Sequence, residues 1–257
     1  LFIIASVILS LSFAPILLTV TPAPPFETTK PMGLRNLYKV SPLGVVGLFI
    51  LGAIFGAIFG MTAIFGSEIG MTIAEISIFV ATIYFGGLLF QMPIGWLSDR
   101  IDRRFLIISV SSIGGFFSIL LFVISYNYMV YLVFVFFIGG MVNPLYSLFI
   151  AYTNDFLEHD DMAAAAGGLI FVNGLGAIIG PLAVGFLMSR FGPDMFFAYL
   201  GCILIIISVY ALYRRTQREA PRVSETSSYT TITPSLTPVA VEVAQEIAIE
   251  AALEEDA

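Results

Sequence analysis

An all-α integral membrane protein with seven transmembrane helices is the fold class this sequence predicts, and three observations carry it. The chain has 257 residues, 58% of them hydrophobic and only 11% charged, with a mean hydropathy of +0.98. A soluble domain of this length needs far more polar surface. Its apolar residues fall in long, nearly charge-free runs, and about 18 such residues suffice to cross the hydrocarbon of a bilayer. The basic residues collect in alternate gaps between those runs. Backbone polar groups in lipid must be satisfied within the segment, so the runs are expected as helices. A transmembrane barrel would instead show segments of about ten residues with alternating polarity, and none is visible.

The spans are expected at residues 1–19, 43–66, 73–97, 104–125, 128–152, 162–189 and 194–213. Lys30, Arg35 and Lys39 lie between the first two, Arg100, Arg103 and Arg104 between the third and fourth, and Arg214, Arg215, Arg218 and Arg222 after the last. These gaps fall on one side of the membrane, which therefore holds ten of the eleven basic residues, with Arg190 alone on the other. The positive-inside rule makes the crowded side cytoplasmic. The expectation is a multi-pass protein of the plasma or inner membrane, surrounded by lipid, with loop 98–104 and the carboxyl-terminal tail in the cytoplasm.

Residues 20–42 contain Pro22, Pro24, Pro25 and Pro31 and are expected as a polar cytoplasmic connector. Residues 43–213 then form a six-helix bundle, and 214–257 a cytoplasmic acidic tail. From Glu225 to Asp256 the tail has seven acids and no basic residue, and it accounts for the net charge of −7. Its Ser, Thr and Pro content over 223–238 predicts disorder. Glu242, Glu246, Glu250 and Glu254 share one helical stripe, but an acidic face is repelled by anionic lipid. The sequence starts at Leu1, inside an apolar run and without the charged n-region of a signal peptide, which suggests an amino-terminal truncation.

Several function classes are disfavoured. Cys202 is the single cysteine and His159 the single histidine, so no cysteine- or histidine-rich metal site is expected. There is no phosphate loop, H-E-x-x-H or nucleophile elbow. No cofactor, nucleic-acid partner or enzymatic activity is expected.

The most specific stretch is Gly95-Trp96-Leu97-Ser98-Asp99-Arg100-Ile101-Asp102-Arg103-Arg104, between the third and fourth spans. Gly95, Leu97, Asp99, Arg100, Arg103 and Arg104 resemble the signature loop of the major facilitator superfamily, G-x-L-a-D-r-x-G-r-r. Asp102 departs, standing where glycine is usual, which predicts a looser turn. A plain positive-inside loop would explain the arginines but not the Gly and Asp at these offsets. One span precedes the long basic connector and six follow it. The resemblance therefore implies helix 6, the central linker and helices 7 to 12, with helices 1 to 5 of the amino-terminal half missing. Gly176-Ala-Ile-Ile-Gly180-Pro181-Leu-Ala-Val-Gly185 is similar to a glycine-proline pattern that the family's antiporters carry in helix 5. Those residues, with Gly52, Gly56 and Gly60 in the second span, suit either close helix packing or a hinge.

The resemblance implies a secondary transporter whose two halves rock about a midplane site, moving a small organic solute. It assigns the loop to the cytoplasmic gate, with Asp99 at the amino terminus of a helix from the other half, where the dipole favours a carboxylate. Arg100 or Arg103 is expected to pair with Asp155 or Glu158. No Asp, Glu, Lys or Arg lies well inside a span. Proton coupling thus resides in the missing helices, or transport is uncoupled. The substrate-cavity candidates are Tyr84, Gln91, Asn143, Tyr146 and Asn173, with interhelical hydrogen bonding as the competing role for each. The alternative function is a membrane-embedded binding or regulatory protein that keeps the fold without transport.

Overall fold

The computed structural model describes residues 32–124, 127–157 and 159–217, together with the isolated positions 7, 10 and 11. The described residues form α1 (Leu34–Val40), α2 (Pro42–Glu68), α3 (Ile73–Ser98), α4 (Arg103–Val123), α5 (Tyr128–Asn154), α6 (His159–Phe191) and α7 (Met195–Arg215). The last six are long and apolar enough to cross a membrane. They coincide within a few residues with the spans expected between 43 and 213. The span expected at 1–19, apart from three isolated positions, and the tail beyond residue 217 lie outside the described residues.

Within the expected connector, Leu34–Val40 is helical, and residues 20–31 lie outside the described residues. Leu37 is fully buried there, and a Cβ on Gly168 of α6 would meet its Cδ2 at 2.9 Å. A side chain that finds such a seat holds the short helix against the bundle. Ser41 ends α1 and starts α2, accepting from the Gly44 amide at 3.3 Å while its Oγ lies 3.1 Å from Thr153 Oγ1 of α5. Pro42 fills the first turn of α2, where no amide partner is needed.

At the opposite end, Thr72 and Glu75 form a capping box that opens α3. Gly70 and Gly192 take φ of 80° and 103° in the turns before α3 and α7. Such angles are costly for residues that carry a Cβ.

Helices in lipid gain little from hiding apolar surface against each other, so close backbone approach has to supply the attraction. The bundle consists of three tight pairs built that way. Between α2 and α6, which run parallel, a Cβ added at Gly52 or Gly56 would strike the backbone of Asn173 or Ala177. One added at Gly176 or Gly180 would strike the backbone of Phe49 or Ala53. The two glycine stripes recognised separately in the sequence thus interlock. Gly60 faces the Pro181 ring more loosely, at 3.4 Å, and Gly185 faces Met61 at 3.3 Å.

In the parallel pair α3–α5, Gly86 meets Phe136 and Gly139 meets Ile83, again at backbone atoms. In the antiparallel pair α4–α7, Gly115 and Gly201 oppose each other, and the Ser112 and Ser208 hydroxyls pair at 2.6 Å. Far from the basic loop, the fully buried rings of Phe65, Phe79, Tyr131, Phe196 and Phe197 join α2, α3, α5 and α7, with centroids 5.0–6.2 Å apart.

Substituting Gly52, Gly176 or Gly180 by Ala is expected to lower the melting point in detergent, each costing about 1–3 kcal/mol through overpacking against backbone. Gly60→Ala meets only an ordinary contact and is expected to melt at or above the wild-type temperature, because it gains up to about 1 kcal/mol of helix propensity. Equal behaviour of the two classes would contradict the interlock.

Candidate functional site

The loop between α3 and α4 lies at the end of the bundle that also carries Lys39, Arg214 and Arg215. Its geometry centres on Arg103, which is 3% exposed. Its Nε donates to Ser98 Oγ at 3.1 Å and one terminal nitrogen donates to the Ala151 carbonyl at 3.1 Å. That same nitrogen pairs with Asp155, whose side chain is itself buried. The other terminal nitrogen reaches Asp99 at 3.4 Å. Ser98 ends α3 and Ala151 lies in the last turn of α5, so the guanidinium sits between two helix carboxyl ends. Each end carries partial negative charge, and each is flanked by a carboxylate. A cation there satisfies both dipoles and both acids, and Arg provides the five fixed donors the site needs.

The other arginines have separate tasks. Arg100 is exposed; its Cζ lies 4.0 Å from the Trp96 ring centroid, and it donates to the Trp96 carbonyl at 3.0 Å. It thus stays on α3. Arg104 is buried, and its Nε and a terminal nitrogen donate to the two oxygens of Asp102 at 3.2 and 3.0 Å. Asp102 also accepts from the Arg104 amide at 2.9 Å and is the N-cap of α4. Asp102 has φ of −55°, which any residue can adopt, and its carboxylate closes the turn as a cap. Partial burial opposes its ionisation, but hydrogen bonds from Arg104 and the charges of Arg104 and Arg215 outweigh this and lower its pKa.

Gly95 is buried, Leu97 is half-buried, and Asp99 is exposed at the end of α3. Among the pairings the sequence leaves open, Arg103 meets Asp155; Glu158 lies outside the described residues. Sequence reasoning missed Ser98 and the Ala151 carbonyl. It also missed Asp102 as a cap, although an Asp directly before an apolar helix is a recognisable start signal.

The membrane-embedded polar residues divide. Asn173 is 6% exposed and donates to the Leu48 carbonyl of α2 at 3.0 Å, so it stitches the α2–α6 pair. Asn143 is half-buried and donates to the Gly139 carbonyl of its own helix at 2.9 Å. Gln91 is half-buried. Tyr146 and Tyr84 are joined by a ladder of rings across α5, α2 and α3. Tyr146 is buried edge-on to Phe55 at 6.4 Å, Phe55 stacks on Phe59 at 5.5 Å, and Phe59 stacks on the exposed Tyr84 at 5.9 Å. No cluster of His, Cys, Asp and Glu suited to a metal occurs among the described residues.

Comparison with known proteins agrees with this architecture. A profile of the Major Facilitator Superfamily matches residues 44–250. An uncharacterized MFS-type transporter, YcaD, from Salmonella arizonae is 25% identical over 179 residues, covering 70% of this chain and 46% of that protein. YcaD from an Escherichia coli strain is 26% identical over 164 residues, covering 64% and 42%. This chain therefore spans less than half the length of these relatives. Among solved structures, the auto-inhibited POT family peptide transporter superimposes with a TM-score of 0.59 at 16% identity, covering 70% of this chain and 38% of that one. The POT family transporter PepTSo gives 0.60 at 15% identity, covering 80% and 40%; both share the fold. With six helices long and apolar enough to cross a membrane among its described residues and a family match over residues 44–250, the chain belongs to the major facilitator superfamily.

Proposed function

We propose that this chain is the carboxyl-terminal part of a secondary transporter that moves a small organic solute by alternating access. In this proposal α2–α7 act as one of the two rocking halves, and the other half comes from upstream sequence. The basic end faces the cytoplasm of a plasma or inner membrane. The α3–α4 loop forms the gate there.

The observation that carries the reading is the placement of Asp99. It stands exposed at the carboxyl end of α3, where the helix dipole disfavours a carboxylate. Arg103 offsets that cost from behind while being held by Ser98, Ala151 and Asp155. A carboxylate so placed contributes little to its own helix and is available to a positive helix amino terminus on the opposing half. Closing the gate then means docking Asp99 on that terminus, and opening it means returning Asp99 to water.

The solute is proposed to meet the face formed by α2, α3 and α5. The ladder from Tyr84 to Tyr146 supplies flat apolar surface, and Gln91, Asn143 and the Tyr84 hydroxyl supply hydrogen bonds. Asn173, which unlike Asn143 is buried and bonds across to another helix at Leu48, is left to packing. Any proton-coupling group belongs to the upstream half.

In the complete protein reconstituted in vesicles, Asp99→Asn is expected to cut solute flux about two- to five-fold, and up to about thirty-fold if the contact is well buried, the scale of a lost charge–dipole contact in one gate state, with an unchanged melting point. Flux at the normal rate would remove the gate role, and no flux of any drug, metabolite or sugar tested, with or without a pH gradient, would favour the non-transporting alternative. Arg103→Gln is expected to lose folded protein, because it strands the buried Asp155 carboxylate at about 3–5 kcal/mol.

Asp102→Ala should cost more than the roughly 1 kcal/mol of the lost cap at neutral pH, because it also removes the carboxylate paired with the buried Arg104. Because the folded-state pKa of Asp102 is lowered, its contribution is complete above the ordinary carboxylate pKa of about 4 and disappears as pH falls through the lower folded value. The melting curves of wild type and variant should therefore converge only in stronger acid. Finally, with Cys202 replaced, a single cysteine at Arg100 should resist a membrane-impermeant thiol reagent added outside intact cells, whereas one at Glu68 should react.

A further inference from the structure

Two buried hydroxyls meet where α1 gives way to α2. Ser41 is 1% exposed at that corner, and Thr153 is fully buried in the last turn of α5. Their oxygens lie 3.1 Å apart, a distance at which either could donate. The neighbours decide the direction. Thr153 Oγ1 donates to the Phe149 carbonyl at 2.8 Å. A hydroxyl holds one proton, so Thr153 accepts from Ser41. Ser41 Oγ in turn accepts from the Gly44 amide at 3.3 Å. The opposite direction would leave the Ser41 proton buried without an acceptor among the described residues, which carries the penalty of a desolvated donor. The bonds therefore run one way, from the Gly44 amide through Ser41 and Thr153 to the Phe149 carbonyl. A Cβ on Gly44 would strike the Thr153 side chain, so the two helices touch at this point.

The turn that Ser41 grips is also the turn that holds Arg103. The Ala151 carbonyl accepts from Arg103 at 3.1 Å and from the Asp155 amide at 3.1 Å. Asp155 pairs with the same guanidinium. The Thr153 carbonyl takes the Phe156 amide at 3.1 Å. At about 3.6 residues per turn, Ala151 and Asp155 fall on one face of α5 and Thr153 on the opposite face. Residues 151–155 are thus held from two sides, by Arg103 of α4 and by the α1–α2 corner. The corner has attachments of its own. Leu37 is seated at Gly168 of α6, and Tyr210 of α7 donates to the Pro42 carbonyl at 3.5 Å.

We propose that Ser41 and Thr153 are positioning residues for the gate, fixing the last turn of α5 so that Asp155 and the Ala151 carbonyl meet Arg103. Through them the connector that precedes α2 acts on the loop that carries Asp99. The corner cannot shift and leave α5 in place without stranding a buried proton. An α5 end that follows the corner withdraws Ala151 and Asp155 from Arg103. A contiguous chain of buried polar contacts is a physical route for such coupling. This inference rests on the gate reading of the α3–α4 loop.

Hydrogen exchange followed by mass spectrometry on the full chain in detergent tests it, with the peptide spanning residues 98–104 as the readout. Thr153→Val keeps the branched shape and removes the hydroxyl. It is expected to speed exchange in that peptide about five-fold, the scale of one buried hydrogen bond. Ser41→Ala should act in the same direction and carries the same decision if Thr153→Val does not accumulate. Thr153→Ser keeps a hydroxyl and should exchange at the wild-type rate. Thr62→Val is the control: Thr62 is 2% exposed and donates to the Ile58 carbonyl of its own helix, and its loss should leave the loop unchanged. Faster exchange confined to residues 37–45 and 149–156, with the loop at its wild-type rate, would reduce the pair to local packing and overturn the proposal. Equal quickening of the loop by Thr62→Val would overturn it as well, by tracing the effect to a general loss of stability. Exchange reads the link between corner and loop, whereas the flux of Asp99→Asn reads the gate, so either can fail while the other holds.

Discussion

Backbone-to-backbone contact between helices is the constraint on which this bundle rests. Lipid removes most of the advantage of burying one apolar side chain against another. What remains is dispersion at short range, and glycine permits the shortest range. Gly52, Gly56, Gly176 and Gly180 bring α2 and α6 together with main-chain atoms at the crossing, and Gly86 and Gly139 do the same for α3 and α5. Large side chains are displaced from these seams to the ends and outer faces. There Phe65, Phe79, Tyr131, Phe196 and Phe197 knit four helices into one body. The pairs are therefore joined by rings at the end away from the basic loop and by the Arg103 cluster at the other.

The charges obey a second constraint, that ionised groups inside a bilayer need partners or water. Ion pairs among the described residues gather at the α3–α4 turn and the end of α5. Arg103 is buried but fully engaged, by two helix carboxyl ends and two acids of unequal exposure: Asp155 at 3% and Asp99 at 41%. That inequality gives the cluster a direction. Asp155 anchors the guanidinium from inside, and Asp99 holds it from the exposed side that the proposed gate would use. The same guanidinium thus serves both packing and the proposed gate.

The spans were legible because hydrocarbon imposes a minimum apolar length, and runs such as 43–66 and 128–152 meet it with no competing pattern. The glycines were legible as small residues at close spacing, but not as partners. Nothing in the spacing of Gly52 and Gly56 says that the matching stripe lies beyond residue 170, because that depends on which helices become neighbours. At the loop, residue type pointed to a cluster, while Arg100 and Arg103 looked interchangeable. Only the fold puts Arg103 on the side facing α5 and leaves Arg100 over Trp96. Asp102 was legible as a departure from the family pattern but not as a cap, since the resemblance directed attention to the missing glycine. Asn173 looked like a cavity residue because its type is polar. Its donation to Leu48 is decided by the neighbouring helix, which local sequence does not encode.

The order of the pairs along the chain bears on how the protein is made. Asn173 and the carbonyl it meets on α2 are 125 residues apart, so at roughly 5–20 residues per second α2 waits on the order of 6–25 s for its partner to be synthesised. During that interval its glycine groove is open to any other small-residue helix in the membrane. Nascent chains must therefore be kept apart, by the insertion machinery or by transient neighbours, until α6 arrives, and errors of assembly should concentrate on α2.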